Sequence, residues 1–234
     1  MIGFRPYTLS HRFPLMSKSR VGIVVLAAGA SERMGTPKQL LPIAGTSLIR
    51  RAALTALGAD CSPVVVVLGA HADLIRPELA GLDIEIAING QWQLGMSSSI
   101  RCGVDALLSL QPDSEGILLM LADQPALTSR SLRSLLRLDL GVAIVAARYN
   151  DTLGTPALFP PHHFQELREL EGACGARNLI QRHLEAVRAV HVPEAARDLD
   201  SPEDFESFRK NELPLAPRCK LEMPAALSSK TNGL

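Results

Sequence analysis

What this chain of 234 residues lacks narrows its function quickly. It has no net charge, with 24 Lys and Arg set against 24 Asp and Glu. It has no run of 18 apolar residues, so no segment reads as a membrane-spanning helix. The first 20 residues carry charge but no continuous apolar stretch of the kind a secretory signal needs. The four cysteines, Cys61, Cys102, Cys174 and Cys219, form no Cys-x-x-Cys pair and have no ligand-spaced histidine. They read as reduced thiols of a cytoplasmic protein rather than a disulfide or zinc framework. Lysine is nearly missing from the body of the chain. Between residues 19 and 209 the only one is Lys38, against 16 arginines. A cation used once where arginine does the general surface work invites a specific reason.

The charge that is present is uneven. Residues 1–20 carry +4, residues 21–210 carry −5 and residues 211–234 carry +1. An acidic body has no basic footprint, which excludes a broad nucleic-acid interface. Apolar content is 47% and charged content 21%, ordinary for a globular chain. A chain of this length buries about 70% of its unfolded surface, enough for one sizeable core. The expected organisation is a flexible N-terminal tail over 1–20, one domain over 21–210 and a flexible C-terminal tail over 211–234. The last segment holds three prolines and shows no hydrophobic period. Met16 offers a second start, with residues 1–15 then untranslated or loose.

Within the domain, short apolar runs alternate with amphipathic ones. Strands are predicted at Val21–Ala27, Val64–Leu68, Ile84–Ile88, Gly116–Leu121, Val142–Ala147 and Val187–Val192. Helices are predicted at Ser47–Leu57, Ala72–Leu79, Ser97–Leu108, Ser129–Leu136, His163–Leu170, Ala176–His183 and Ser201–Arg209. Pro156–Phe159 reads as a short strand in a small antiparallel insertion. This alternation predicts a three-layer α/β/α domain around a mostly parallel sheet. In such folds ligands sit beyond the carboxyl ends of the strands.

Four segments leaving strands carry unusual chemistry. In Leu26-Ala-Ala-Gly-Ala-Ser-Glu-Arg-Met-Gly-Thr-Pro-Lys-Gln-Leu-Leu-Pro42, small residues let the backbone approach an anion, and Arg33 and Lys38 add full charges. The simpler reading is a glycine-rich turn with two surface cations. On the phosphate-binding reading too, Lys38 is expected to be an exposed loop cation whose removal costs transfer but little stability. The segment lacks the patterns of a P-loop and of a dinucleotide turn. In Asn89–Ile100, three serines open a helix and suit a base edge or a phosphate, or Ser97 simply caps it. In Leu121-Ala-Asp-Gln-Pro125, Asp123 directly follows a buried strand, where a hard cation or a turn would use it. In Asp198-Leu-Asp-Ser-Pro-Glu-Asp204, Asp198 and Asp200 are two apart and face one way on extended chain, suited to completing a metal site with Asp123. The pair His162-His163 reads as surface.

Taken together, these segments resemble the molybdenum cofactor cytidylyltransferase family, in the wider group of Rossmann-like (GT-A-like) nucleotidyltransferases. The first segment is similar to the family's LAAGxSxRMGxPKxLLP pattern nearly throughout. Five further elements follow in order: Gly95–Ser99, Ala122–Pro125, Gly154–Phe159, Gly175–Arg177 and Asp198–Asp204. The resemblance implies that Ala27, Ala28 and Gly29 hold the nucleotide by their backbone and that Arg33 and Lys38 bind its triphosphate. It implies that Ser98 and Ser99 lie near base and ribose, and that Asp123 and Asp200 hold Mg2+. Arg33, Lys38 and Asp123 are then the catalytic set, and Thr155 and Arg177 are candidates for acceptor binding. The implied reaction is CMP transfer from CTP to the terminal phosphate of a molybdopterin-type cofactor, with a molybdoenzyme or its chaperone as recipient. Pro37 before Lys38 resembles the cytidylyl branch, since guanylyl relatives typically carry Asp there. One departure stands out: where the family usually has an acid in GDxGAR, this chain has Ala173. GTP, another phosphorylated acceptor, or a non-catalytic cofactor chaperone are the alternatives this leaves open.

Overall fold

A computed structural model describes residues 20–138, 141, 143–173 and 175–212. The expected tails therefore lie outside the described residues, apart from Arg20 and the end of the last helix, as do Val142, Cys174 and Cys219. Arg20 is held in place: its carbonyl accepts from the Glu115 amide at 2.7 Å and from the Ser114 hydroxyl at 3.0 Å.

In chain order the strands are β1 (Val21–Ala27), β2 (Pro42–Ile43), β3 (Thr46–Ser47), β4 (Val64–Leu68), β5 (Glu85–Ile88), β6 (Gly116–Leu121), β7 (Ile144–Tyr149), β8 (Thr152–Phe159) and β9 (Val187–His191). The α-helices are α1 (Leu48–Leu57), α2 (Ala72–Ile75), α3 (Met96–Leu110), α4 (Ser129–Leu136), α5 (Phe164–Arg168), α6 (Ala176–Arg182) and α7 (Pro202–Glu212). Seven strands make one sheet in the order β5-β4-β1-β6-β8-β7-β9. All neighbours are parallel except β8, which runs antiparallel to both β6 and β7. Strand order reverses between β1 and β6, so a crevice opens at their carboxyl ends.

The period of two along each strand feeds two separate cores. Ile23, Val25 and Ala27 of β1 pack with α1, α2 and α4, while Val24 and Leu26 pack with α3, α5 and α6. Helices thus cover both faces, as the predicted three-layer arrangement requires. Close approach of α3 to the sheet is set by glycine: a Cβ on Gly103 would overlap Val24 and Val67, and one on Gly22 would overlap Leu107. That contact brings the start of α3 beside the exit of β1.

Three parts differ from the sequence expectation. The antiparallel strand is longer than Pro156–Phe159 and lies inside the main sheet, in a hairpin with β7. Asn150 (φ 42°) and Asp151 (φ 56°) make a two-residue turn with both central residues left-handed, the geometry that matches strand twist. The register with β7 skips from Ala157 to Gly154, leaving Thr155 and Pro156 unpaired, which is where a residue without an N–H fits a strand. The second difference is the small β2–β3 hairpin, turned by Ala44 (φ 51°) and Gly45 (φ 80°). Its Ile43 packs with Leu48, Leu199 and Phe208 in a third, smaller core. At Pro77 the predicted Ala72–Leu79 helix tightens into a 3-10 turn, Arg76–Leu79.

Candidate active site

Gln39 links the first loop to the sheet. It is only 2% exposed, and its amide donates to the carbonyls of Ala27 and Gly29, both at 2.9 Å. Ser31, left-handed at φ 59°, donates from its hydroxyl to Gln39 Oε1 at 3.2 Å and accepts the Lys38 amide at 3.0 Å. These bonds fold the loop back so that Lys38 points toward the crevice at the end of β1.

Beyond β6, the Leu199 amide donates to the Asp123 carbonyl at 2.9 Å, and the Leu199 side chain is buried in the third core. With Leu199 turned inward, Asp198 and Asp200 both face the cleft, as their spacing predicts. The start of α7 fixes this turn: Asp204 Oδ2 accepts from the amides of Asp200 (3.1 Å) and Ser201 (2.8 Å) and from the Ser201 hydroxyl (2.8 Å). The bonds from Ser201, chiefly its hydroxyl, hold the Asp204 carboxyl below the usual range.

Lys38 and Asp123 therefore share one cavity of about 570 Å3. The Lys38 Nζ lies 2.6 Å from Asp123 Oδ2 and 2.8 Å from Asp200 Oδ1. The more exposed Arg33 reaches the other oxygen of Asp200 at 2.9 Å. Burial by itself would lower the Lys38 pKa, but the Asp123 charge and the bonds to both carboxylates outweigh it and leave it raised. Burial would raise Asp200, but its bonds and charge contacts with Lys38 and Arg33 hold it low. Asp198 has less relief, since a bond from Gln124 and the Lys38 charge offset only part of the effect. Burial, followed by the neighbouring Asp123 charge, pushes it up to about 6.

Lys38 is thus not the exposed loop cation expected from the sequence. Its side chain is 16% exposed and that of Asp123 18%, so this is a partly buried ion-pair network. Removing Lys38 leaves Asp123 without a cationic partner and Asp200 with Arg33 alone, which costs stability. Asp123 Oδ1 is buried with no hydrogen-bond partner. Three carboxylates facing two cations, with an unmatched buried oxygen among them, are the hard-oxygen donor set that fits a divalent cation.

Ala27, Ala28 and Gly29 line the cleft, as do Arg33 and Ser99. Ser98 does not; its hydroxyl donates to the carbonyls of Gly95 (2.8 Å) and Gln91 (3.0 Å). Ser97 does not cap α3 either. Its hydroxyl donates to the Glu171 carbonyl at 3.1 Å, and Gly95 (φ 97°) takes the cap position. Thr155 and Arg177 also lie off the cleft. Thr155 offers its carbonyl to Gln124 (3.4 Å), and Arg177 donates to the Thr152 hydroxyl (3.2 Å). Two organising residues carry no motif signal. One is Gln39. The other is Asn89, buried at the end of β5, which donates to the hydroxyls of Ser98 (2.8 Å) and Ser99 (3.0 Å). A lone amide directly after a strand is the only sequence mark of Asn89.

A parallel sheet with a switch-point cleft of small-residue backbone, clustered carboxylates and two cations defines a nucleotidyltransferase. Comparison with known proteins gives the particular group. Residues 23–187 match the profile of the MobA-like NTP transferase domain, and the chain belongs to that family. It is 37% identical over 141 residues to nicotine blue oxidoreductase of Paenarthrobacter nicotinovorans, covering 60% of this chain and 67% of that one. It is 30% identical over 200 residues to the purine catabolism protein PucB of Bacillus subtilis, covering 80% of this chain and 95% of PucB. The chain also matches a bifunctional GlmU of Syntrophotalea carbinolica, but spans only 26% of that longer protein. Rv0371c from Mycobacterium tuberculosis superposes with a TM-score of 0.73 at 30% identity, over 83% of this chain and all of the other. A second structure of Rv0371c is a complex with manganese. Among the described residues, no helix is long and apolar enough to cross a membrane.

Proposed function

We propose that this protein transfers CMP from CTP to the terminal phosphate of a molybdopterin-type molybdenum cofactor, releasing pyrophosphate. The observation that carries the reading is the meeting of Lys38, the sole lysine of the domain's interior sequence, with Asp123 and Asp200 in the cleft at the carboxyl ends of β1 and β6. Backbone groups of Ala27, Ala28 and Gly29 cradle the nucleotide. Arg33 and Lys38 exchange their carboxylate partners for phosphate oxygens and neutralise the departing diphosphate. Ser99 lies beside the base and ribose, and Ser98 positions it through Asn89. Asp123 and Asp200 would hold Mg2+, which when bound supplies further neutralisation of the phosphates.

An oxygen of the acceptor phosphate forms the new bond to the α-phosphorus. The bond from that phosphorus to the α–β bridging oxygen breaks, and its electron pair leaves with pyrophosphate. The attacking phosphate is already ionised at neutral pH, so alignment and charge neutralisation matter more than a general base. Thr155 and Arg177, off the cleft itself, remain the candidates for acceptor contact. Choice of CTP over GTP rests on Pro37, the residue before Lys38 that resembles the cytidylyl branch.

The test is incubation with molybdopterin cofactor, Mg2+ and each of four nucleoside triphosphates, with pyrophosphate release and mass spectrometry of products. A CMP adduct formed from CTP alone is the expected result, and absence of any adduct overturns the reading. Ala173 supports a second one. It is exposed, and its backbone packs against Gly95 where the resembled pattern places an acid nearby. A different phosphorylated acceptor, or a cofactor chaperone that binds nucleotide without turnover, would tolerate that change. Nucleotide binding without pyrophosphate release across a panel of acceptors would favour the chaperone.

A further inference from the structure

The end of the sheet opposite the cleft holds a second cluster. β8 runs antiparallel and ends at Phe159, level with Ile117 near the amino end of β6. The chain leaving it there turns through Pro161–His163 into α5, and α6 returns to the same place with His183 at its C-cap. His163 Nδ1 lies 2.7 Å from Glu166 Oε1, and His183 Nε2 lies 2.9 Å from Glu166 Oε2. The three donor atoms all lie within 4.8 Å of one another. His163 is buried, so the pair His162-His163 is surface only in its first member.

We propose that His163, Glu166 and His183 bind a first-row divalent transition ion, with Zn2+ as the type, leaving one coordination position open to solvent. The donor chemistry selects the ion. Two imidazoles and one carboxylate suit zinc and its neighbours, whereas Mg2+ takes oxygen donors of the kind found in the cleft. The geometry is close to what is needed. Metal–ligand bonds of about 2.1 Å at a tetrahedral centre put donor atoms about 3.4 Å apart. The two hydrogen bonds, at 2.7 and 2.9 Å, are shorter than that and no pair exceeds 4.8 Å, so side-chain shifts on the order of 1 Å reach it. His163 is the buried anchor; Glu166 and His183 are about a third exposed and free to adjust.

Without an ion the trio is satisfied, because the Glu166 carboxylate accepts from both rings. With one, each ring presents that nitrogen's lone pair and carries its proton on the other nitrogen. One arginine and a third imidazole face the cluster. Arg182 Nη1 lies 3.9 Å from Glu166 Oε2 but is well exposed and can swing away, and the His162 ring lies 4.1 Å from that of His163. The bound ion would tie together two helices of five and seven residues, each too short to persist alone. Between them runs the segment whose Glu171 and Gly172 carbonyls hold Ser97 at the start of α3. The site is therefore a clip at the far end of the sheet, joined to the cleft only through that segment, and it does not depend on the identity of the nucleotide or acceptor.

The experiment uses the whole chain, freed of metal with chelator and titrated with Co2+, then with Zn2+ and Mg2+. The expected result is one equivalent of Co2+ with the visible bands of a four-coordinate site, displaced by Zn2+ and not by Mg2+. Those bands should persist in D123N/D200N, which removes the cleft carboxylates, and vanish in H183Q. Zn2+ should raise Tm in the wild type and not in H183Q. Should H183Q fail to fold by circular dichroism, the near-isosteric E166Q takes its place. Absence of the bands in the wild type, their survival in a folded H183Q or E166Q, or their loss in D123N/D200N would each overturn the proposal.

Discussion

The two ends of the sheet handle negative charge in opposite ways. At the carboxyl end, three carboxylates crowd two cations, one buried oxygen of Asp123 is unmatched, and Asp198 is driven up to about 6. At the amino end, a single carboxylate sits between two imidazoles and both its oxygens are used. The first arrangement is strained by its own charge and gains from a cation that enters, alone or carried by a polyphosphate. The second is balanced when empty, and a metal must compete with hydrogen bonds already made. Excess charge marks a site built around a ligand; balanced charge marks one that holds its fold either way.

Mutations at the cleft should break this contrast most. Lys38→Ala is expected to lower turnover on the order of 10^2–10^3-fold, read by pyrophosphate release, because the triphosphate loses a preorganised cation. It should also lower stability by roughly 1–3 kcal/mol in denaturant unfolding, since partly buried Asp123 loses its cation and only Arg33 remains on Asp200. Asp123→Asn comes next, with divalent-ion affinity falling on the order of 10- to 100-fold in a titration of activity against Mg2+. An unaltered Mg2+ response would remove Asp123 from the cation site. Gly103→Ala should cost about 1–3 kcal/mol by overpacking against Val24 and Val67, measured by thermal unfolding. At the balanced end the effect is smallest. Glu166→Gln replaces an acceptor by a donor in one of two contacts and should cost about 1 kcal/mol in metal-free unfolding. A larger loss there than at Lys38 would invert the comparison.

Legibility in the sequence tracked how local the cause was. Val21–Ala27, Val64–Leu68 and Gly116–Leu121 are strands with the predicted bounds, because β-branched apolar runs leave few other choices. Ser129–Leu136 also matches, with Thr128 and Ser131 forming a capping box. The β8 strand was only half visible: Gly154 and Pro156 interrupt its pattern, and its place in the sheet is set by β6 and β7 on either side. Asp198 and Asp200 were legible as a pair from their spacing alone. Gln39 and Asn89 were not, since a buried amide declares itself only through the carbonyls and hydroxyls it meets.

By itself the sequence determined the layered α/β plan, the switch-point loops and the inventory of charged groups, all consequences of residue type and short-range period. Only the tertiary structure decided that Lys38 stands between two carboxylates 85 and 162 residues away along the chain. It also decided that Ser98 turns inward, and that His163 and His183 converge on Glu166. These arrangements depend on which strand ends lie side by side, and that is set by packing two cores at once, which no single stretch of sequence encodes.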